Sequence, residues 1–136
     1  MGDVNLAKPY LRMADARPKI LIVEDSSHVR TALCSLLSDE GFEVVPSGTG
    51  GEALRLVGTT PFDMVLTDLG LPDIPGDAVI RGIRALRQGP CRIVVYSAEP
   101  ELQRALRAGA DAVVEKPADF DVILRALMGT AVRSAA

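Results

Sequence analysis

Asp68 follows the apolar run Met64-Val65-Leu66 and Thr67, and a cluster of turn formers comes next: Gly70, Leu71, Pro72, Asp73, Pro75 and Gly76. A short apolar run bounded in this way reads as a buried strand, so one carboxylate stands where a strand enters a loop. Upstream, Ile20-Leu21-Ile22-Val23 ends in Glu24-Asp25 in the same manner. In open parallel sheets the carboxyl edge is where ligands and chemistry sit. If the two strands are neighbours, three carboxylates converge on one rim. That cluster is repulsive without a counter-charge, and a hard divalent cation with oxygen ligands, Mg²⁺, suits it.

The elements that must position these groups follow from periodicity. Strand one covers Ile20 to Val23. Ser26 or Ser27 caps a helix striped by Val29, Leu33, Leu36 and Leu37, and Gly41 ends it. Strand two is Phe42 to Val45, and after the Gly48–Gly51 turn Ala53, Leu54 and Val57 stripe a second helix. Strand three ends at Asp68. Val79, Ile80, Ile83 and Leu86 stripe helix three, which Gly89-Pro90 breaks. Strand four, Ile93 to Tyr96, ends at Ser97. Leu102, Ala105 and Leu106 support a short helix four, stopped near Gly109. Strand five, Ala112 to Val114, precedes Lys116-Pro117, and Phe120, Ile123, Leu124 and Leu127 stripe the last helix.

Five βα units with apolar strands and one-sided helices predict an α/β fold, a parallel sheet covered on both faces. Right-handed crossovers and one reversal of winding give the flavodoxin-like (βα)5 three-layer sandwich with sheet order 2-1-3-4-5. That order puts strands one and three side by side.

The 136 residues suit one domain, expected over residues 18–130, with an N-terminal extension 1–17 and a tail 131–136. In the extension, Leu6, Tyr10, Leu11 and Met13 could form one apolar face, but a loose segment is the plainer reading. The net charge of −3 gives no electrostatic case for nucleic acid. No apolar run approaches a membrane span, and the charged N-terminus contains no signal-peptide core. Cys34 and Cys91 are not spaced as metal ligands and read as reduced thiols in a reducing, cytoplasmic compartment.

Four strand ends thus carry polar groups: Glu24-Asp25, Asp68, Ser97 and Lys116. The local runs are Val-Glu-Asp-Ser-Ser-His-Val-Arg at 23–30, Asp-Leu-Gly-Leu-Pro-Asp-Ile-Pro-Gly at 68–76, Ser-Ala at 97–98, Ala-Gly-Ala-Asp at 108–111 and Lys-Pro at 116–117. Together and in this order they resemble the receiver domain of two-component response regulators. The resemblance implies that Asp68 is the phosphoacceptor and takes its phosphoryl group from a phosphohistidine of a histidine kinase or phosphotransfer protein. It implies that Glu24, Asp25, Asp68 and the Gly70 carbonyl hold Mg²⁺, and that Lys116 and Ser97 contact the phosphoryl oxygens. The chemistry would be self-directed phosphotransfer and autodephosphorylation rather than turnover of a substrate. Output would be phosphorylation-dependent binding of a downstream protein, or phosphorelay, by a monomer or weak homodimer.

Each of these residues also has a plainer reading. Asp68 alone reads as a turn residue, Glu24-Asp25 as acids suited to a helix start, Ser97 as a backbone satisfier, and Lys116 as a solvated lysine. Their combination on adjacent strand ends favours the functional reading. His28, the chain's single histidine, reads as a surface residue near the site, and Cys34 as packing. Pro117 is a candidate cis peptide that would aim Lys116 into the site.

The chain departs from the resembled pattern in three places. Val113 occupies the position, three before the lysine, where an aromatic switch usually stands. The stretch between Ser97-Ala98 and Gly109-Ala110 is short by about one helical turn of 3.6 residues, which weakens the case for the usual dimer on that face. Gly70 and Glu99 occupy the positions that tune water access to the acyl phosphate, so Glu99 is expected to set its lifetime. The closing run, residues 130–136, is too short for an effector domain, so either a stand-alone receiver or a piece of a larger protein is expected. Two other functions compete: a flavodoxin-like cofactor binder, disfavoured because the loop after strand one is acidic rather than glycine-rich, and a pseudo-receiver that binds partners without phosphorylation.

Overall fold

The computed structural model describes residues 17–98 and 101–129. Five strands, β1 (Lys19–Val23), β2 (Glu43–Ser47), β3 (Met64–Thr67), β4 (Arg92–Ser97) and β5 (Ala112–Glu115), alternate with five helices. The helices are α1 (Ser27–Asp39), α2 (Gly50–Thr59), α3 (Gly76–Leu86), α4 (Leu102–Ala108) and α5 (Phe120–Met128). All strand pairs are parallel, in the expected order β2-β1-β3-β4-β5.

The pleat divides the core in two. Leu21, Val23, Val65, Ile93 and Val95 pack with Ala53 and Val57 of α2, Val79, Ile80 and Ile83 of α3, and Ala105 and Ala108 of α4. Ile20, Ile22, Leu66 and Val94 pack instead with Leu33 and Leu37 of α1 and Ile123, Ala126 and Leu127 of α5. Three helices therefore cover one face and two cover the other. The central strands are buried on both sides, which is why they read as unbroken apolar runs.

The caps explain where helices begin and end. Ser26, rather than Ser27, accepts the Val29 N–H and starts α1. Thr49 accepts the Glu52 N–H and starts α2. Gly41 lies just past α1 at φ +102°, a backbone setting that a side chain resists.

Several expectations need correction. β2 runs over Glu43–Ser47 rather than 42–45; Phe42 is buried but precedes the strand. It tolerates Pro46 because it is an edge strand, where a missing N–H costs no ladder bond. Leu36, Leu86, Leu102 and Leu106, each placed on an apolar stripe, are exposed by 39–46%. In α4 the contact with the sheet is made by Ala105, as expected, together with Ala108. With seven residues, α4 is the shortest of the helices, about two turns. The expected extension 1–17 lies outside the described residues apart from Arg17, and the tail 131–136 lies outside them altogether.

Candidate functional site

Ladder hydrogen bonds carry past the strand ends and fix the backbone of each candidate residue. The Glu24 N–H donates to the Ser47 carbonyl (3.0 Å), Asp68 to Val23 (3.1 Å) and Lys116 to Ser97 (2.9 Å). The register places Val23 beside Thr67, Thr67 beside Val95, and Ser97 beside Glu115. Adjacent strand ends therefore present Glu24, Asp68, Ser97 and Lys116 on one rim, as the sequence predicts.

The carboxylates of Glu24, Asp25 and Asp68 lie within 4.8 Å of one another. Glu24 is 3% exposed and Asp68 9%, whereas Asp25 is open to solvent. Lys116 bridges the two buried acids: its Nζ donates to Asp68 Oδ2 at 2.8 Å and to Glu24 Oε1 at 2.9 Å. The Gly70 N–H donates to Asp68 Oδ1 (3.1 Å), and the buried Ser97 hydroxyl also bonds the Asp68 carboxylate. Asp68, Gly70, Ser97 and Ala98 line a shallow open pocket of about 170 Å³.

Burial alone would raise the Asp68 pKa. Hydrogen bonds from Lys116, Gly70 and Ser97, with the Lys116 charge, outweigh burial and hold the carboxyl below its ordinary value. Burial likewise opposes the charge on Lys116, and the bonds and charges of Asp68 and Glu24 outweigh it, raising its pKa. Both shifts favour the ion pair at neutral pH. An ionised Asp68 is a competent nucleophile. The donor set, three clustered carboxylates, is all hard oxygen and fits a hard divalent cation.

The peptide bond before Pro117 is cis, as expected. His28 is exposed on the first turn of α1. Cys34 is partly buried, Cys91 is buried, and both are free thiols. Glu99 lies outside the described residues. Nothing lies within 4 Å of where a Cβ on Gly70 would stand, so this side of the site is unobstructed.

Sequence reasoning missed three supporting groups. Arg30 Nη1 donates to the carbonyls of Glu24 (2.8 Å) and Asp25 (3.3 Å) and so braces the acidic turn. Its signal was its place inside the 23–30 run, one turn into α1. Asp73, read as a turn former, accepts the N–H groups of Gly50 (2.9 Å) and Gly51 (2.8 Å) and pins the loop after Asp68 to the start of α2. Tyr96 is the third. Its ring centroid is 5.3 Å from Lys116 Nζ, and nothing in the sequence pointed to that contact.

Comparison with known proteins agrees with this geometry. The family profile for the response regulator receiver domain matches residues 20–128. The transcriptional regulatory protein KdpE of Mycobacterium tuberculosis is 36% identical over 120 residues, which cover 86% of this chain and 52% of that protein. The chain thus spans about half the length of the curated relatives it matches. Among solved structures, a Burkholderia pseudomallei response regulator with a phosphorylated aspartic acid, calcium ion and citrate superposes with a TM-score of 0.78 at 27% identity, covering 87% of this chain and 70% of that one. The receiver domain of the sensor histidine kinase PA1611 of Pseudomonas aeruginosa, with magnesium coordinated in its active-site cleft, gives 0.74 at 28% identity, covering 85% of this chain and 100% of that one. With its strand order, its rim of acids and its bridging lysine, this chain belongs to the response regulator receiver domain family.

Proposed function

We propose that Asp68 accepts a phosphoryl group from the phosphohistidine of a histidine kinase or phosphotransfer protein, and that the protein signals through phosphorylation-dependent partner binding or phosphorelay. The observation that carries this reading is Lys116 Nζ, which bridges Asp68 and Glu24 beside Asp25 at the open carboxyl edge of the sheet.

An Asp68 carboxylate oxygen forms the new bond to phosphorus as the phosphorus–nitrogen bond of the donor breaks. The electron pair of that bond returns to the imidazole, which leaves neutral when its other nitrogen carries a proton. Lys116 offsets the charge that spreads over the equatorial oxygens, and the Ser97 hydroxyl donates to one of them. Glu24, Asp25, Asp68 and the Gly70 carbonyl would hold Mg²⁺, which would add positive charge beside the same oxygens. In hydrolysis, a water oxygen bonds to phosphorus as the bond from phosphorus to the Asp68 oxygen breaks; that bond's electron pair returns to the carboxylate, the water gives up its proton to solvent, and inorganic phosphate leaves. Gly70 leaves the approach open, and Glu99 is proposed to set the lifetime; a Glu99→Ala variant that loses phosphate at the parental rate would remove that role.

No described helix is long and apolar enough to cross a membrane. The reading places the domain in the cytoplasm, where such donors work.

Incubation with acetyl phosphate and Mg²⁺, followed by intact mass, tests the reading. One added phosphoryl group, lost with chelator and absent from Asp68→Asn, is expected. Equal uptake by that variant would overturn it.

A further inference from the structure

Lys116 carries three N–H donors, and two of them are taken by Asp68 Oδ2 and Glu24 Oε1. On a third side stands the ring of Tyr96, its centroid 5.3 Å from Nζ. A cation within about 6 Å of a ring face is attracted by the ring's quadrupole. The Tyr96 hydroxyl accepts the Ala118 N–H at 3.4 Å, so the ring is tied at its far end to the segment that follows Lys116.

The ring also faces outward. Tyr96 packs against the α1–α5 side of the sheet, whereas Val113 packs against the α2–α3–α4 side. With Val29, Leu33, Phe120 and Ile123, Tyr96 lines a groove of about 340 Å³ between α1 and α5. One side chain therefore touches the site's lysine and a surface groove together. Val113 is too small to make such a link on the opposite face.

We propose that Tyr96 is a positioning residue for Lys116, and that it transmits the lysine's movement at Asp68 to the α1–α5 groove. A phosphoryl group on Asp68 draws the ammonium away from Glu24 and from its place over the ring. The ring then resettles among the groove residues. This second step rests on the reading of Asp68 as phosphoacceptor; the ring contact does not.

The test uses the full chain, whose lysines are Lys8, Lys19 and Lys116, so their side-chain resonances are few. Ring current from Tyr96 should move the Lys116 ε-methylene protons upfield in the unphosphorylated protein. Tyr96→Phe should keep that shift, and Tyr96→Leu should abolish it while the Lys19 signals stay in place. Phosphorylation by acetyl phosphate should slow by roughly two- to fivefold in Tyr96→Leu, the factor that an exposed cation–π contact provides, and recover in Tyr96→Phe. Addition of Mg²⁺ and beryllofluoride should move the methyl signals of Val29, Leu33 and Ile123 in the parent and the Phe variant, and much less in the Leu variant. A Lys116 signal without an upfield shift, or groove methyls that respond equally in the Leu variant, would overturn the proposal. A shifted Lys116 in a protein that takes up no phosphoryl group would keep the positioning role and overturn the phosphoacceptor reading instead.

Discussion

The two faces of the sheet meet the same site and treat it differently. On the α2–α3–α4 face the site's neighbours are held by polar ties. Asp77 on α3 pairs with Arg104 on α4 (2.8 Å) and with Arg81 (3.1 Å). Arg84 donates to the Gly109 carbonyl (2.6 and 2.9 Å), the Cys91 carbonyl (2.6 Å) and Asp111 (2.6 Å). The α1–α5 face carries a groove, lined in part by an aromatic side chain that reaches Lys116. A face whose helices are stapled together resists small movements. A face that offers an open groove and a ring next to Lys116 can register them. On the proposed roles of Asp68 and Tyr96, the position of the aromatic, more than its presence, decides which surface learns the state of Asp68.

The comparison can be broken most forcefully at the element both faces share. Lys116→Ala leaves Asp68 facing Glu24 without their common cation. Phosphorylation by acetyl phosphate, followed by mass over time, should slow by about 10²- to 10³-fold, the scale of losing one preorganised charge stabiliser. A fall under tenfold would move the charge-offsetting role away from Lys116.

Next in size is Gly76→Ala, which attacks the packing beneath the loop after Asp68. A Cβ there would stand 2.5 Å from Leu69 Cα and 2.6 Å from its carbonyl oxygen, both backbone atoms that cannot swing aside. Overpacking of this kind costs about 1–3 kcal/mol, and a thermal melt should show it. An unchanged Tm would mean that the loop yields freely, and the contrast between a fixed site and a responsive groove would weaken.

Arg84→Ala removes the staple of the three-helix face. The half-buried carbonyls of Gly109 and Cys91 lose their donor, a loss of about 1–3 kcal/mol that the melt also reads. Phosphorylation of Asp68 should be little affected, because Arg84 touches none of the site residues.

The smallest effect is a pH dependence on the same face. The hydrogen bond from Arg104 to Asp77, helped by Arg81, holds that carboxyl at about 2 against an ordinary 3.8. A depressed folded value means the contribution is complete above pH 3.8 and is lost as pH falls toward 2. Asp77→Asn should lower Tm slightly at neutral pH, with the difference from the parent closing in acid. A difference that persists in acid would assign the effect to packing.

Much of this architecture is legible in the residues themselves. The apolar runs Ile20–Val23 and Met64–Leu66 announce strands buried on both faces, and the acids that end them mark the rim before any coordinates exist. The peptide bond before Pro117 is cis, as the sequence suggests, and Ser97 is buried at its strand end. What stayed hidden has physical reasons. Helical spacing assigns Leu36, Leu86, Leu102 and Leu106 to apolar stripes, but a stripe wider than the sheet can cover leaves its edge in water. The link between α2 and the loop at Asp73 joins residues over twenty apart through backbone N–H groups, which carry no sequence signature. Tyr96 reads as one more apolar strand residue. Only the juxtaposition of β4 with the segment after β5 brings its ring beside Lys116.

Asp68, and not Asp25 or Glu24, is the proposed carrier of the phosphoryl group. Its most direct test is chemical. The protein is treated with acetyl phosphate and Mg²⁺, reduced with borohydride so that an acyl phosphate becomes an alcohol, digested, and mapped by peptide mass. Homoserine at position 68 and unmodified carboxylates at Glu24 and Asp25 are expected. Reduction at either of those acids, with Asp68 intact, would contradict it.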